Sequence, residues 1–213
     1  MILSDSIQRG LGIFVFWGYS DITYLLNAIQ NFSDLVTFHG PMVATDLNDE
    51  IRTVETKSSF FTLFTGESLT YDSRKSSLTT LAHGTGEGRL VGGNLDLLTN
   101  GLGTPFQVKT NAAIPLIEEV AELVFRIDVM LTHLKQAGVF DEVEGVIIGD
   151  LQAELDEYGE IKKVLQDFFA SAPYPVVENF HIVHCQPNYG VPLGVNAKLT
   201  TSPARLVIDS GVM

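Results

Sequence analysis

Two short blocks carry residue types that could share one reaction: Ile117-Glu118-Glu119 and Phe180-His181-Ile182-Val183-His184. A carboxylate that fixes the tautomer of an imidazole, and an imidazole that takes a proton from a hydroxyl, form the acid–base half of serine-type acyl transfer. Each block also has a plainer account. Glu118 and Glu119 stand where a strand-like run ends and a helical pattern begins, and negative charge at a helix N-terminus is worth ~0.3–1 kcal/mol without any chemistry. His184 follows a strand-like run and precedes Pro187-Asn188-Tyr189-Gly190, a loop position that catalytic, structural and surface histidines all occupy.

The other reactive side chains are less persuasive. Gly18-Tyr19-Ser20-Asp21 follows a strand-like run and opens a helix, as a nucleophile elbow does, but Ile22 stands where G-x-S-x-G needs its last glycine. Capping of the helix by Ser20 or Asp21 is the simpler role. A hydrolase built on Ser20 and His39 is the weakest alternative; His39, in the turn His39-Gly40-Pro41, could instead line a pocket at the carboxyl end of a parallel sheet. On a strand, His181 would face away from His184, which argues against a shared metal site, and Cys185 would face away too, which makes a Cys-His dyad geometrically poor. A single cysteine rules out an internal disulfide and gives no zinc spacing. Gly86-Glu87-Gly88 and Gly92-Gly93 match neither dinucleotide nor Walker spacing and read as turn glycines.

These residues need a scaffold. Ile13 to Trp17 reads as a buried strand, Ile22, Leu25, Leu26 and Ile29 as the apolar face of a helix, and Leu35 to Phe38 as a second strand. Strand, helix and strand make a βαβ unit, hence a parallel sheet. Three elements cannot cover both faces of such a sheet, so residues 1–46 are expected to be the remnant of an N-terminal parallel α/β domain. Residues 47–87 are poor in periodicity and read as a connector with at most one hairpin. Residues 88–213 read as a C-terminal domain of mixed strands and helices. Its expected elements are a turn and short helix around Leu90 to Leu102 and a strand over Ala113 to Ile117. A helix follows on the stripe Val120, Leu123, Val124, Ile127, Leu131 and Leu134, stopping at Gly138. Strands are expected over Val143 to Ile148 and Val176 to Val183, a helix over Ile161 to Ala170, and a terminal hairpin over Ala197 to Thr201 and Arg205 to Ile208. The fold class is α/β.

Composition bounds the partners. The 213 residues are 45% hydrophobic and 18% charged, which is globular. Twenty-six acidic against 13 basic residues give a net charge of −13, which argues against nucleic acid. No run reaches the ~18 apolar residues of a membrane span. Met1 to Gly10 lacks the basic and apolar regions of a signal peptide, so a cytoplasmic location is the default expectation.

Taken together, the blocks resemble a family. Phe16-Trp17-Gly18-Tyr19-Ser20-Asp21-Ile22-Thr23 and Thr37-Phe38-His39-Gly40-Pro41-Met42 are similar to segments of the LD-carboxypeptidases, serine peptidases that also include the microcin-immunity peptidases. The match continues through Gly88-Arg89-Leu90-Val91-Gly92-Gly93-Asn94-Leu95, Gly103-Thr104-Pro105-Phe106, Ile117-Glu118-Glu119 and Phe125-Arg126-Ile127-Asp128. Gly145-Val146-Ile147-Ile148-Gly149-Asp150, His184 and Pro192-Leu193-Gly194 complete it, in family order over nearly the whole chain.

The resemblance implies hydrolysis of the amide to a terminal D-amino acid in murein-type peptides, as in peptidoglycan recycling, with no metal or organic cofactor and commonly as a homodimer. By position it makes Glu118 the family glutamate, with Glu122 as runner-up, and His184 the family histidine. Glu119 replaces the usual aspartate, Val183 stands where a glycine commonly precedes the histidine, and Cys185 follows it. The family serine, on its glycine-rich turn, is expected at or just before Met1. Ser4 and Ser6 have no flanking glycines, and neither is assigned. The expectation is a truncated chain that is inactive alone, or else a non-catalytic binding or dimerisation module derived from the family.

Overall fold

The computed structural model describes residues 15–42, 46, 54–154 and 159–212. The described residues build a three-stranded and an eight-stranded sheet. In the small sheet, β1 (Trp17–Gly18) and β2 (Thr37–His39) run parallel, joined by a 3-10 turn (Ser20–Ile22) and α1 (Thr23–Ser33). The βαβ expectation therefore holds, although β1 begins later than Ile13 to Trp17; Ile13 and Phe14 lie outside the described residues. A strand from far along the chain, β9 (Val191–Leu193), adds antiparallel to β2.

Neither Ser20 nor Asp21 caps the helix. Tyr19 stands at the N-cap of the 3-10 turn, Ile22 at that of α1, and neither side chain caps. The buried face of α1 is Thr23, Leu26, Asn27 and Gln30 rather than a purely apolar stripe, and Leu25 is exposed. Its polar members bond to their neighbours: Asn27 Nδ2 to the Gly92 carbonyl at 3.1 Å, Gln30 Nε2 to Thr37 Oγ1 at 3.0 Å, and the Asn94 amide to Thr23 Oγ1 at 3.1 Å. Buried polar groups satisfied in this way fix the helix more specifically than apolar contact would.

Residues 54–87 of the stretch expected as a connector are structured, and 47–53 lie outside the described residues. The structured part contains α2 (Val54–Thr62), β3 (Leu69–Asp72), β4 (Thr79–Ala82) and the start of β5 (Thr85–Asn94). β3 and β4 form no hairpin with each other. They lie at opposite edges of the large sheet, whose order is β3-β11-β10-β5-β6-β7-β8-β4. Their partners are remote in sequence, so local periodicity carried little sign of them. The centre of this sheet is β5, β6 (Ala113–Leu123), β7 (Val146–Glu154) and β8 (Val176–Glu178), all parallel. They are linked by α3 (Leu95–Asn100), α4 (Val124–Gln136) and α5 (Glu160–Phe169). The expected terminal hairpin is present as β10 (Asn196–Thr201) and β11 (Ala204–Ile208).

Gly88 to Gly93 form strand, not a turn. A Cβ on Gly92 would collide with the Leu116 backbone, and one on Gly88 with the Ala112 carbonyl, so these glycines allow close approach of the neighbouring strand. β6 also runs past its expected end at Ile117. Residues 118–123 are strand, and α4 begins at Val124 after Leu123, so Glu118 and Glu119 do not stand at a helix N-terminus. Val120 and Leu123 fit the helical stripe by spacing alone. The strand passes through a register shift between Val120 and Glu122, with Ala121 at φ 58°. α4 buries Ile127, Met130, Leu131 and Leu134, and it stops as expected. Gly138 takes φ 77° while the amides of Gly138 and Val139 bond the Lys135 and Leu134 carbonyls.

Strand parity places the functional face. Along β6, Ile114 and Leu116 join the core that faces the small sheet, while Ala113 and Ile117 join the core under α3, α4 and α5. Both faces are apolar, as parallel strands covered on two sides require. Glu118 is two positions beyond Leu116 and therefore points toward β2.

Candidate active site

Glu118 lies near the carboxyl ends of the parallel strands, opposite Asn94 of β5, where open α/β sheets bind ligands. It is fully buried, and room for it is left by Gly149 of β7, on which a Cβ would come within 3.1 Å of Glu118 Cβ. Its Oε2 meets His184 Nδ1 at 2.9 Å. His184 comes from an irregular loop, since β8 ends at Glu178 rather than at Val183. Gln152 Nε2 donates to the His184 carbonyl at 2.6 Å, and the Tyr19 ring meets the imidazole edge-on with centroids 5.0 Å apart.

Burial opposes ionisation of Glu118. The hydrogen bond to His184 and the proximity of His39 outweigh it and hold the carboxyl below its ordinary value. An ionised carboxylate only accepts, so the shared proton sits on His184 Nδ1 and the lone pair is left on Nε2. The His184 side chain is 14% exposed and borders a cavity of about 360 Å³ shared with Tyr19, Val120 and Gln152. A larger cavity of about 430 Å³ lies by the start of β6, lined by Arg89, Asp34 and Lys109. Its ion pair, Arg89 with Asp34 at 3.0 Å, is exposed, and it lacks a buried acid–base couple.

The other carboxylates are engaged elsewhere. Glu119 accepts from Asn94 Nδ2, the Asp96 amide and the Val120 amide, each at 2.9 Å, and so ties the end of β6 to the start of α3. Burial nonetheless pushes its carboxyl up. Glu122, the runner-up, binds Arg126 Nε at 2.7 Å on the surface. Burial, followed by the charges of Asp150 and Glu118, pushes the Cys185 thiol up, away from the thiolate a nucleophile needs. No hydrogen bond joins Ser20 to His39, and no serine hydroxyl among the described residues bonds to His184.

Sequence reasoning missed one neighbour. His39 is fully buried, and its Nε2 lies 3.5 Å from Glu118 Oε1. Its place at the end of a parallel strand was legible; that β6 would continue far enough to meet it was not.

The profile of the family described as "LD-carboxypeptidase C-terminal domain" matches residues 87–199. The protein named "Probable murein peptide carboxypeptidase" of Bacillus subtilis is 41% identical over 203 residues, covering 93% of this chain and 63% of its own length. The "Microcin C7 self-immunity protein MccF" of Escherichia coli is 28% identical over 209 residues, covering 84% and 60%. The chain thus spans less than two thirds of either relative. Among solved structures, apo MccF in an inactive mutant form superposes with a TM-score of 0.82 at 24% identity over 96% of this chain and 69% of that one. A muramoyltetrapeptide carboxypeptidase from Oxalobacter formigenes gives 0.78 at 24% identity over 92% and 67%. The shared fold and the profile match, which covers more than half of the sequence, agree: this chain belongs to the LD-carboxypeptidase family.

Proposed function

We propose that this chain carries the histidine and carboxylate of a serine-type LD-carboxypeptidase that hydrolyses the amide to a terminal D-amino acid in murein-type peptides. The observation that carries this is the 2.9 Å contact between His184 Nδ1 and the buried Glu118 Oε2. Glu118 holds the imidazole in the tautomer that leaves Nε2 as base. His184 takes the proton of a serine hydroxyl as its oxygen attacks the carbonyl, then passes that proton to the leaving amine, and water repeats the cycle on the acyl-enzyme. The serine is supplied from outside the described residues, and the isolated chain is expected to be inactive without it. On this reading residues 1–46 belong to the N-terminal α/β domain, 88–213 form the C-terminal one, and 47–87 lie between them. No metal or organic cofactor is required, and the setting is cytoplasmic peptidoglycan recycling. Among the described residues no helix is long and apolar enough to cross a membrane.

The test is release of D-alanine from an L,D-tetrapeptide by this chain, alone and fused behind the third of the Bacillus subtilis relative that it does not cover. Release by the fusion, abolished by His184→Ala, is the expected result. Release that survives His184→Ala, or none from a folded fusion, sinks the proposal.

A second reading, a dimerisation module, draws on Phe32 and Phe106. Their rings stack edge-on at 6.0 Å while remaining 66% and 47% exposed. An aromatic pair in that state favours self-association. Light scattering on the wild type and Phe32→Ser decides: a dimer that dissociates on substitution supports it, and a monomer throughout ends it.

A further inference from the structure

The two oxygens of Glu118 face two different imidazoles. Oε2 bonds His184, whereas Oε1 faces Nε2 of His39 at 3.5 Å, with both side chains fully buried. Glu118 Oε1 and both ring nitrogens of His39 have no hydrogen-bond partner among the described residues. A buried acceptor and a buried donor rarely face each other unpaired, because each forfeits its bonds to water. Three backbone features set the encounter. Parity on β6 turns Glu118 toward β2, His39 ends β2, and Gly93 of β5 keeps the space open, since a Cβ there would come 3.3 Å from His39 Cε1.

We infer that His39 is a positioning residue that shares the Glu118 carboxylate with His184 and thereby lowers the basicity of His184. This rests on the proposal that His184 is the base. Charge that Oε1 directs to a His39 N–H is charge that Oε2 does not offer to His184. Without His39, Glu118 turns wholly to His184, which then holds its proton to higher pH. Among the described residues, the other groups near His184 are Asp150 of β7, Tyr19 after β1, Cys185 in its own loop and Asp46 across the cavity. All remain when His39 is replaced. His39 faces Glu118 from β6, while Gly93 of β5 and Thr23 of α1 beside it carry no charge.

The experiment is a 15N NMR titration of the histidine rings in the whole chain, which needs no turnover. His39→Leu is expected to raise the His184 midpoint by about half a pH unit or more, a modest effect for a buried neighbour. His39→Gln, which keeps an N–H donor, is expected to raise it less. In a Glu118→Gln background the His39→Leu shift should vanish. An unchanged midpoint in His39→Leu, or a shift of equal size without the Glu118 charge, overturns the inference. If His39→Leu does not fold, Glu118→Gln alone still decides. It should move the ring signals of both His39 and His184, and movement of His184 alone refutes the sharing. Failure of the peptide assay would sink the proposed hydrolysis and leave these titrations readable.

Discussion

Asn188 Oδ1 accepts the backbone N–H of Val183 at 2.8 Å, so the loop after His184 folds back and grips the residue before it. Val183 is fully buried and takes φ 68°, a left-handed conformation that a β-branched residue adopts only under constraint. Strain of ~1–3 kcal/mol is typical of such a residue. Glycine would relieve it, while losing the ~1.5–3 kcal/mol of a buried valine. Val191 on β9 is equally buried with no such strain. Val183→Gly should therefore destabilise the fold by ~1–2 kcal/mol less than Val191→Gly, compared by urea unfolding. Equal losses would mean that the loop carries no strain at Val183.

The neighbouring carboxylates should separate cleanly in a fused protein that releases D-alanine. Glu118→Gln keeps the shape but removes the charge that selects the His184 tautomer, and turnover should fall by about 10³–10⁴. Glu122→Ala removes only a surface pair with Arg126, worth ~0.5 kcal/mol or less in stability, and turnover should be unchanged. A loss at Glu122 equal to that at Glu118 would show that the wrong carboxylate has been assigned.

Gly149 sets the depth at which Glu118 sits. A methyl group there would lie 3.1 Å from both Glu118 Cβ and the Ile182 carbonyl, tighter than ordinary packing on two sides at once. Gly149→Ala should cost ~1–3 kcal/mol as an overpacked site. It should also weaken or abolish the His184 Nδ1–H resonance, because the carboxylate must shift. Gly103→Ala is the control for general loss of glycine freedom: Gly103 has a left-handed φ of 72° but open space around its Cβ. A Gly149 variant with an unaltered Nδ1–H signal would show that the carboxylate has slack.

What was legible in the sequence follows from the range of the forces involved. The stop of α4 at Gly138 and the β10–β11 hairpin are local, and the spacing of Leu131, Leu134 and Gly138 or the alternation around Leu199 and Leu206 was enough to find them. β3 and β4 are short edge strands whose partners, β11 and β8, lie more than ninety residues away, so nothing near Leu69 or Thr79 announced them. The extension of β6 was hidden because Val120 and Leu123, three apart, fit a helical stripe, while the strand breaks its own alternation at the register shift between Val120 and Glu122. Glu118 and His184 were reached through resemblance, since neither block alone outweighed its plainer account. His39 meets Glu118 only where the small sheet packs against the large one, a contact between segments remote in sequence.

The electrostatics of Glu118 also predict an acid response. Its carboxyl is held below the ordinary 4.5, so between the two values the folded state binds fewer protons than the unfolded one. Stability then rises with pH across that window: the contribution of Glu118 is fully present above 4.5 and is lost as pH falls through the folded-state value. Glu119, Asp150 and Glu178 are shifted upward chiefly by burial and contribute in the opposite sense; that burial is common to wild type and Glu118→Gln, whereas the lesser upward push of the Glu118 charge on Glu119 and Asp150 is lost with the substitution and belongs to the difference. Unfolding free energies of the two proteins, taken at intervals from about pH 6 to pH 2, should show the wild-type advantage shrinking below 4.5. An advantage that grows toward acid would mean that burial, and not the imidazoles, governs this carboxyl, and that His184 lacks an ionised partner at neutral pH.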